Sequence, residues 1–298
     1  MDTALIILVI IYSIIITIGI SGNLIMVLAT IYSRNLRSSC NILISACCIF
    51  DLMLYTSPIA FMYSMYIPIS QELCYYISIP CDFGAFASNA GILAVGIDRL
   101  LAVRNPALYK LYELDKPRYI ARILFLPIIY SIILLYIGYT ERDATRYVAC
   151  LVPESLGVAY KIFALTSFIM ILFVPPVYGY VFWKIRQIQM SSSSKSVFKS
   201  LSITVILVLC GWMTTDLIGT MTVVLPMDHD LAVYLSLYCG IFALSSSMFN
   251  VFVYYTISKE CRRAIKSLFG LAKGKHKVSS VLTNSMSRRA SVTHSGFY

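Results

Sequence analysis

Charged residues are scarce in this sequence. Only 13% of its 298 residues are Asp, Glu, Lys or Arg, whereas soluble domains contain about a quarter. Hydrophobic residues make up 59%. Such a chain has too little charge to cover the surface of a soluble protein of its size, so we predict an integral membrane protein.

Histidine is rarer still. The three histidines are His229, His276 and His294, and they lie in a predicted loop and in the C-terminal tail. A buried histidine-based metal or nucleophile site therefore has no candidate residues in the apolar part of the chain. We predict no catalytic residue, no protein-bound metal site and no enzymatic activity.

Seven apolar stretches are each long enough to cross a bilayer, which takes about 20 helical residues. Their approximate bounds are 4–32, 41–67, 74–103, 119–139, 160–185, 199–225 and 231–256. The sequence therefore predicts an all-α integral membrane fold, a seven-transmembrane-helix bundle over residues 1–257.

Basic residues concentrate on one side of this predicted bundle. Loops on that side and the tail carry most of the Lys and Arg, while the opposite loops carry mainly acidic residues such as Glu72, Asp143 and Glu154. Because loops rich in Lys and Arg stay in the cytoplasm, we predict an extracellular N-terminus in the plasma membrane. The basic surface favours anionic lipid and a cytosolic protein partner over nucleic acid.

A short amphipathic segment follows the seventh stretch. Its apolar side consists of Cys261, Ala264, Ile265, Leu268 and Phe269, opposite a row of Lys and Arg. This pattern predicts an interfacial helix at 258–270. The polar, Ser-rich residues 271–298 are expected to form a disordered cytoplasmic tail. In it Ser291 follows two arginines and is a candidate phosphorylation site, although so short a pattern also arises by chance.

Isolated polar residues interrupt the apolar stretches. Asn23 and Asp51 lie in the first two, and Asp98-Arg99 lies near the end of the third. Ionisable groups are costly inside a membrane and usually mark functional sites. The alternative for Asn23 is a packing residue whose amide is hydrogen-bonded. Ser88 is expected on the same helix face as Arg99, three turns away.

Two cysteines lie in segments predicted to be extracellular, Cys74 and Cys150. The extracellular side is oxidising, so we predict a disulfide that fixes the loop after the fourth helix over the bundle. Two free thiols are the alternative.

Several motifs together resemble those of rhodopsin-like (class A) G-protein-coupled receptors. The sequence has Asp98-Arg99-Leu100 where that family has Asp/Glu-Arg-Tyr, 25 residues after Cys74. Asn250-Val-Phe-Val-Tyr254 resembles Asn-Pro-x-x-Tyr without the proline. Cys210-Gly211-Trp212 resembles Cys-Trp-x-Pro, but Gly211 displaces the tryptophan and no proline follows, so Gly211 is the alternative source of flexibility. The segment GIDRLLAVRNPALYK is most similar to the corresponding segment of nematode serpentine chemoreceptors of the Srsx class.

The resemblance implies a receptor that binds an extracellular small molecule or peptide and activates a heterotrimeric G protein, in chemosensation. It implies a coupling switch of Asp98, Arg99, Asn250 and Tyr254, and a polar cluster of Asn23, Asp51, Ser88 and Asn250 that can hold a sodium ion. A kinase or arrestin is a candidate partner of the tail, and sensory cilia are a candidate location.

The outer half of the bundle supplies the candidate ligand-binding residues, Asp82, Phe86, Trp212, Asp216 and Tyr238. The two carboxylates favour a cationic or hydrogen-bonding ligand, although the direction of Asp82 is open. The alternative receptor function is the detection of an endogenous neuropeptide or amine. A seven-helix channel or transporter is the alternative outside the receptor class.

Overall fold

A computed structural model describes residues 3–64, 67–187 and 192–270. The α-helices there are α1 (Thr3–Tyr32), α2 (Ser39–Leu54), α3 (Ser57–Ser64), α4 (Gln71–Arg104), α5 (Pro106–Leu114), α6 (Lys116–Thr140), α7 (Val152–Leu156), α8 (Val158–Gln187), α9 (Ser192–Val224), α10 (His229–Met248), α11 (Asn250–Ile257) and α12 (Lys259–Leu268). A short 3-10 helix (Arg34–Leu36) and the two-residue strands β1 (Ile69–Ser70) and β2 (Tyr147–Val148) complete the described elements.

Six helical segments in the described residues are long and apolar enough to cross a membrane. They contain 25 to 34 residues each, more than the roughly 20 that a bilayer requires. The seventh long helix is α9, with 33 residues. The prediction of an all-α, multi-pass membrane bundle is confirmed.

Two of the predicted spans are interrupted. The second consists of α2 and α3, which are separated at Tyr55 and Thr56, just before Pro58. Proline lacks the N–H that would continue the helical hydrogen-bond ladder, which accounts for a break at this point. The Tyr55 hydroxyl donates to the carbonyl of Leu244 at 3.0 Å. The seventh span consists of α10 and α11, which meet at Phe249.

Helix α4 lies at the centre of the bundle and contacts α2, α6 and α8. Small residues let it approach its neighbours closely. A Cβ atom on Gly84 would lie 2.5 Å from the carbonyl oxygen of Phe50, closer than any real contact. Helices α2 and α4 therefore need a glycine here, as is common where membrane helices pack backbone to backbone.

One end of the bundle, called the disulfide end below, is closed by the segment between α6 and α8. Cys150 forms a disulfide with Cys74 at the start of α4, with their Cα atoms 5.5 Å apart. Strands β1 and β2 pair antiparallel beside it, with Ile69 opposite Val148. The predicted disulfide is confirmed, and it holds the short helix α7 against the bundle.

The opposite end, called the arginine end, carries Arg99, α5 and α12. Ser258 caps α12 by accepting a hydrogen bond from the amide of Cys261 at 3.2 Å. Cys261, Ala264 and Ile265 are buried, and α12 contacts α1. Phe269, expected on the same apolar side, is 57% exposed because it follows the end of the helix. Ser291 and the predicted tail at 271–298 lie outside the described residues.

Candidate functional site

A cavity of about 850 Å³, measured out to its open mouth, lies between the helices near the disulfide end. Residues from α1, α2, α3, α4, α8, α9 and α10 line it, and Leu151, Val152 and Pro153 of the α7 segment complete the wall. Ligand pockets typically have mostly apolar walls. The walls of this cavity, which include Leu54, Phe61 and Leu244, match this description.

Asp216 is the only charged residue among the described residues that line this cavity. It is 4% exposed. The amide nitrogen of Asn89 in α4 donates to its carboxylate at 3.3 Å and to the hydroxyl of Ser167 in α8 at 2.5 Å. Three helices therefore meet through one small polar cluster at the wall of the cavity.

Trp212 lies one helical turn from Asp216 on α9 and lines the same cavity. It is 3% exposed, and its indole nitrogen has no hydrogen-bond partner among the described residues. Neighbouring Gly211 was expected to make the helix flexible. In the structure it is a close packing contact, since a Cβ atom there would lie 2.6 Å from the carbonyl oxygen of Phe242 on α10.

Three residues predicted for the ligand pocket lie elsewhere. Asp82 is fully buried and accepts a hydrogen bond from Ser155 of α7 at 3.1 Å. Phe86 is also fully buried, and its ring packs 4.6 Å from that of Phe163. Tyr238 is 47% exposed. It follows Leu237, which does line the cavity, and one residue turns a helix by about 100°.

A second polar cluster lies in the middle of the bundle around Asp51, which is 2% exposed. The hydroxyl of Ser88 donates to one carboxylate oxygen at 2.6 Å, and the amide nitrogen of Asn250 lies 3.4 Å from the other. Ser247 of α10 also lies near this carboxylate. The amide nitrogen of Asn23 instead donates to the carbonyl of Gly19 in its own helix at 2.9 Å.

The third cluster surrounds Asp98 and Arg99 at the arginine end. The guanidinium group of Arg99 binds the Asp98 carboxylate through Nε at 2.7 Å and through Nη2. Two tyrosines complete this site. Tyr119 of α6 donates to the other oxygen of Asp98 at 2.9 Å, and Arg99 donates to the hydroxyl of Tyr109 in α5 at 2.8 Å.

Tyr254, predicted to act with Arg99, is 5% exposed. It lines a small cavity at the arginine end together with Met26 and Cys261. The junction of α1, α11 and α12 is therefore where the structure places this tyrosine.

Several residues of these clusters were not identified from the sequence. They are Asn89, Tyr109, Tyr119, Ser167 and Ser247. Asn89 directly follows Ser88 in an apolar stretch and is the one with a usable signal. The two tyrosines have none, because the chain contains 22 tyrosines and nothing in their surroundings distinguishes these two.

The model of the serpentine-type 7TM GPCR chemoreceptor family Srsx matches residues 16–269, which is most of the chain. The chain belongs to the Srsx chemoreceptor family. No curated protein matches it. Membership makes this chain a GPCR-like chemosensory receptor, and it agrees with the resemblance that the Asp98-Arg99 segment suggested.

Proposed function

We propose that this Srsx receptor binds a chemical ligand in the Asp216 cavity and in response catalyses nucleotide exchange on a heterotrimeric G protein. The observation that carries the proposal is the position of two polar sites on one helix. The polar cluster of the cavity includes Asn89 of α4, and Arg99 lies near the other end of the same helix. Ten helical residues separate them, or about 15 Å.

The arginine end is the proposed coupling surface. The ion pair with Asp98 and the bond to Tyr109 hold Arg99 in this conformation. On activation we expect Arg99 to leave Asp98 and to contact the G protein. In support, Tyr109 and Tyr119 come from the loop helix and the next spanning helix, so a shift of either one changes the hydrogen bonds around the ion pair.

The orientation is part of the proposal. The arginine end carries Lys116, Arg118 and the basic side of α12, and an excess of Lys and Arg marks cytoplasmic loops. The disulfide end would then face the oxidising exterior. The N-terminus would be extracellular and the cavity would open to the outside. A tag on Met1 should be labelled by antibody on intact cells, and labelling only after permeabilisation would overturn the orientation.

Nucleotide exchange in membranes tests the function directly. Membranes containing the receptor and co-expressed G proteins are assayed for GTP-analogue binding with and without chemical mixtures. We expect ligand-dependent exchange in the wild type and its loss in Arg99→Ala, with the exposed Arg104→Ala as the matched control. Exchange that persists in Arg99→Ala at equal surface expression would contradict the proposed role of the arginine.

A sodium ion beside Asp51 is a further part of the proposal. The amide oxygens of Asn23 and Asn250 are buried and lack a hydrogen-bond partner among the described residues, and amide and carboxylate oxygens suit a hard cation. Asp51 would bind the ion with help from Ser88. We expect sodium to raise the thermal stability of the purified receptor more than potassium does, and Asp51→Asn to abolish the difference.

Membership in a chemoreceptor family favours an environmental ligand over an endogenous peptide or amine. A C-terminally tagged receptor expressed from its own promoter should concentrate in the cilia of sensory neurons. Residence on interneurons, muscle or gut would instead favour an endogenous ligand. A kinase or arrestin acting on the tail at Ser291 would be detected as ligand-dependent phosphorylation that Ser291→Ala removes.

A further inference from the structure

We propose that the Asp216 cavity takes a small lipophilic amine, whose ammonium group binds the Asp216 carboxylate while its apolar body contacts the aromatic walls. This inference rests on the proposed function, because it names the ligand class of the same site. Of the two carboxylates predicted for the ligand pocket, only Asp216 lines the cavity, because Asp82 is hydrogen-bonded to Ser155 outside it.

Two other polar groups of the cavity, Tyr12 and Thr215, already have partners. The Tyr12 hydroxyl donates to the carbonyl of Leu237 at 2.5 Å. The Thr215 hydroxyl lies 3.0 Å from the carbonyl of Gly211 and 3.0 Å from that of Cys239. These groups contribute little to a ligand. Among the buried polar side chains of the wall, the carboxylate of Asp216 and the indole N–H of Trp212 remain for recognition.

Asp216 has no cationic partner among the described residues. No Lys, Arg or His among the described residues lines the cavity, and Asn89 supplies only a neutral hydrogen bond. A carboxylate that is 4% exposed is stabilised in its charged form only when a cation or several good donors surround it. An ammonium group supplies both the charge and up to three N–H donors.

Neighbouring acceptors point to the same kind of ligand. The amide oxygen of Asn89 is buried and accepts no hydrogen bond from the described residues. The surroundings of Asp216 therefore include one further acceptor that lacks a donor. Trp212 offers the opposite group, an unpartnered N–H, and is a second contact for a ligand that carries an acceptor.

The walls favour a cation with an apolar body. Tyr12, Tyr160, Phe163 and Trp212 line the cavity. Aromatic faces attract ammonium groups through their quadrupole, and more strongly where water is excluded. A hydrocarbon chain or a single ring attached to the amine would be buried against Leu54, Phe61 and their neighbours, which a strongly polar ligand could not exploit.

Matched pairs of probes test the proposal by direct binding. The purified receptor in detergent is titrated with 2-phenylethylamine and 2-phenylethanol, and with hexylamine and hexanol, and binding is measured as the shift of the unfolding temperature. Each pair differs only in ammonium against hydroxyl. We expect the amines to bind at least tenfold more tightly than their alcohols.

Variants assign the effect to Asp216. Asp216→Asn should lower amine affinity at least tenfold and leave alcohol affinity within about twofold, whereas Asp216→Glu should recover part of the amine affinity. Asp82→Asn, outside the cavity, is the matched control and should bind amines as the wild type does. Equal affinity for amines and alcohols, no stabilisation by any amine, or an unchanged Asp216→Asn would each overturn the proposal.

The same probes separate this inference from the proposed function. An amine that binds through Asp216 but fails to stimulate nucleotide exchange supports the ligand class and contradicts the receptor mechanism. A neutral compound that stimulates exchange, with a potency that Asp216→Asn leaves unchanged, supports the receptor mechanism and overturns the ligand class.

Discussion

Two buried carboxylates, one at each end of the bundle, differ in how their charge is balanced. Asp98 is fully buried, forms an ion pair with Arg99 and accepts a hydrogen bond from Tyr119. Asp216 is buried nearly as deeply, but its described hydrogen-bond partner is the neutral amide of Asn89. At the arginine end the buried carboxylate has its cation within the chain. In the cavity the buried carboxylate has no cation among the described residues, so a ligand could supply one.

The difference also suggests how the two ends communicate. Asp98 is paired with the next residue of its own helix, so its charge is balanced without a cation from another helix. Asp216 connects α9 to α4 and α8. A ligand that took over the Asp216 carboxylate would weaken those contacts. The resulting freedom of α9 and α4 is a local change that could favour release of Arg99.

Removing the cation at the arginine end should have the largest effect on stability. Arg99→Ala leaves Asp98 buried without its charge partner, and the loss of one partner of a buried ion pair costs about 3–5 kcal/mol. Thermal unfolding in detergent measures the change. Arg104→Ala, on an exposed position of the same helix, should stay within about 0.5 kcal/mol. Similar losses in both variants would refute a buried, stabilising pair.

Removal of the Tyr119 hydroxyl should cause the next largest loss of stability. Tyr119→Phe removes a hydrogen bond to a buried charged group, which typically contributes about 1.5–3 kcal/mol. The matched control is Tyr112→Phe, because the Tyr112 ring stacks on Tyr119 with centroids 5.2 Å apart and keeps that contact without its hydroxyl. If both variants unfold at the same temperature, the Tyr119–Asp98 bond contributes nothing.

Acid should remove a smaller contribution at the same end. Partial burial of Glu113 in α5 acts to raise the pKa of its carboxyl. Its hydrogen bonds with Ser39 and Lys116 outweigh this effect and lower the pKa below the usual value. A pKa that is lower in the folded state stabilises the protein above the unfolded pKa, and this stability is lost as the pH falls through the folded pKa.

Glu113→Gln should therefore cost about 0.2–1 kcal/mol at neutral pH, a range that suits a partly exposed pair. The difference from the wild type should shrink as the pH falls from neutral to about 3, past the usual Glu pKa of about 4.3. Unfolding temperatures at the two pH values measure it. Asp115→Asn, in a more exposed pair with Arg118, serves as the control. A difference that persists in acid would contradict the assignment.

Asp216→Asn should have the smallest effect, and it tests the comparison most directly. It removes a buried charge that has no cationic partner, so we expect a change in unfolding free energy within about 1 kcal/mol, unlike the loss that Asp98→Asn should cause. Both variants are compared without ligand by thermal unfolding. A loss for Asp216→Asn as large as for Asp98→Asn would mean that Asp216 already has a charge partner.

The spanning helices were predictable because length and hydrophobicity are local properties of the chain. Every predicted stretch overlaps a helix in the described residues. Helix α4 begins at Gln71, three residues earlier than expected, where Ser70 caps it, and α9 begins at Ser192, seven residues earlier. The interruptions at Tyr55 and Phe249 were missed. A continuous apolar run carries no sign of where the backbone bends, apart from Pro58 in the first case.

The candidate site was predictable in part. Asp216 and Trp212 lie one turn apart on a single helix, so their common direction follows from helical periodicity. Asp82 and Tyr238 were placed in the pocket because they are polar and near the expected mouth. Their directions depend on the rotation of α4 and α10 about their own axes, which hydrophobicity alone does not define when every face is apolar.

By itself, the sequence determined that this is a seven-helix membrane receptor with Asp98-Arg99 at one end, a disulfide at the other and polar residues between them. Only the tertiary structure decided which polar groups meet, as Asp51 does with Asn250 and Asp216 with Asn89. Those partners are 199 and 127 residues apart in the chain. The physical reason is that helix formation depends on neighbouring residues, whereas the pairing of buried polar groups depends on how whole helices pack and rotate against one another.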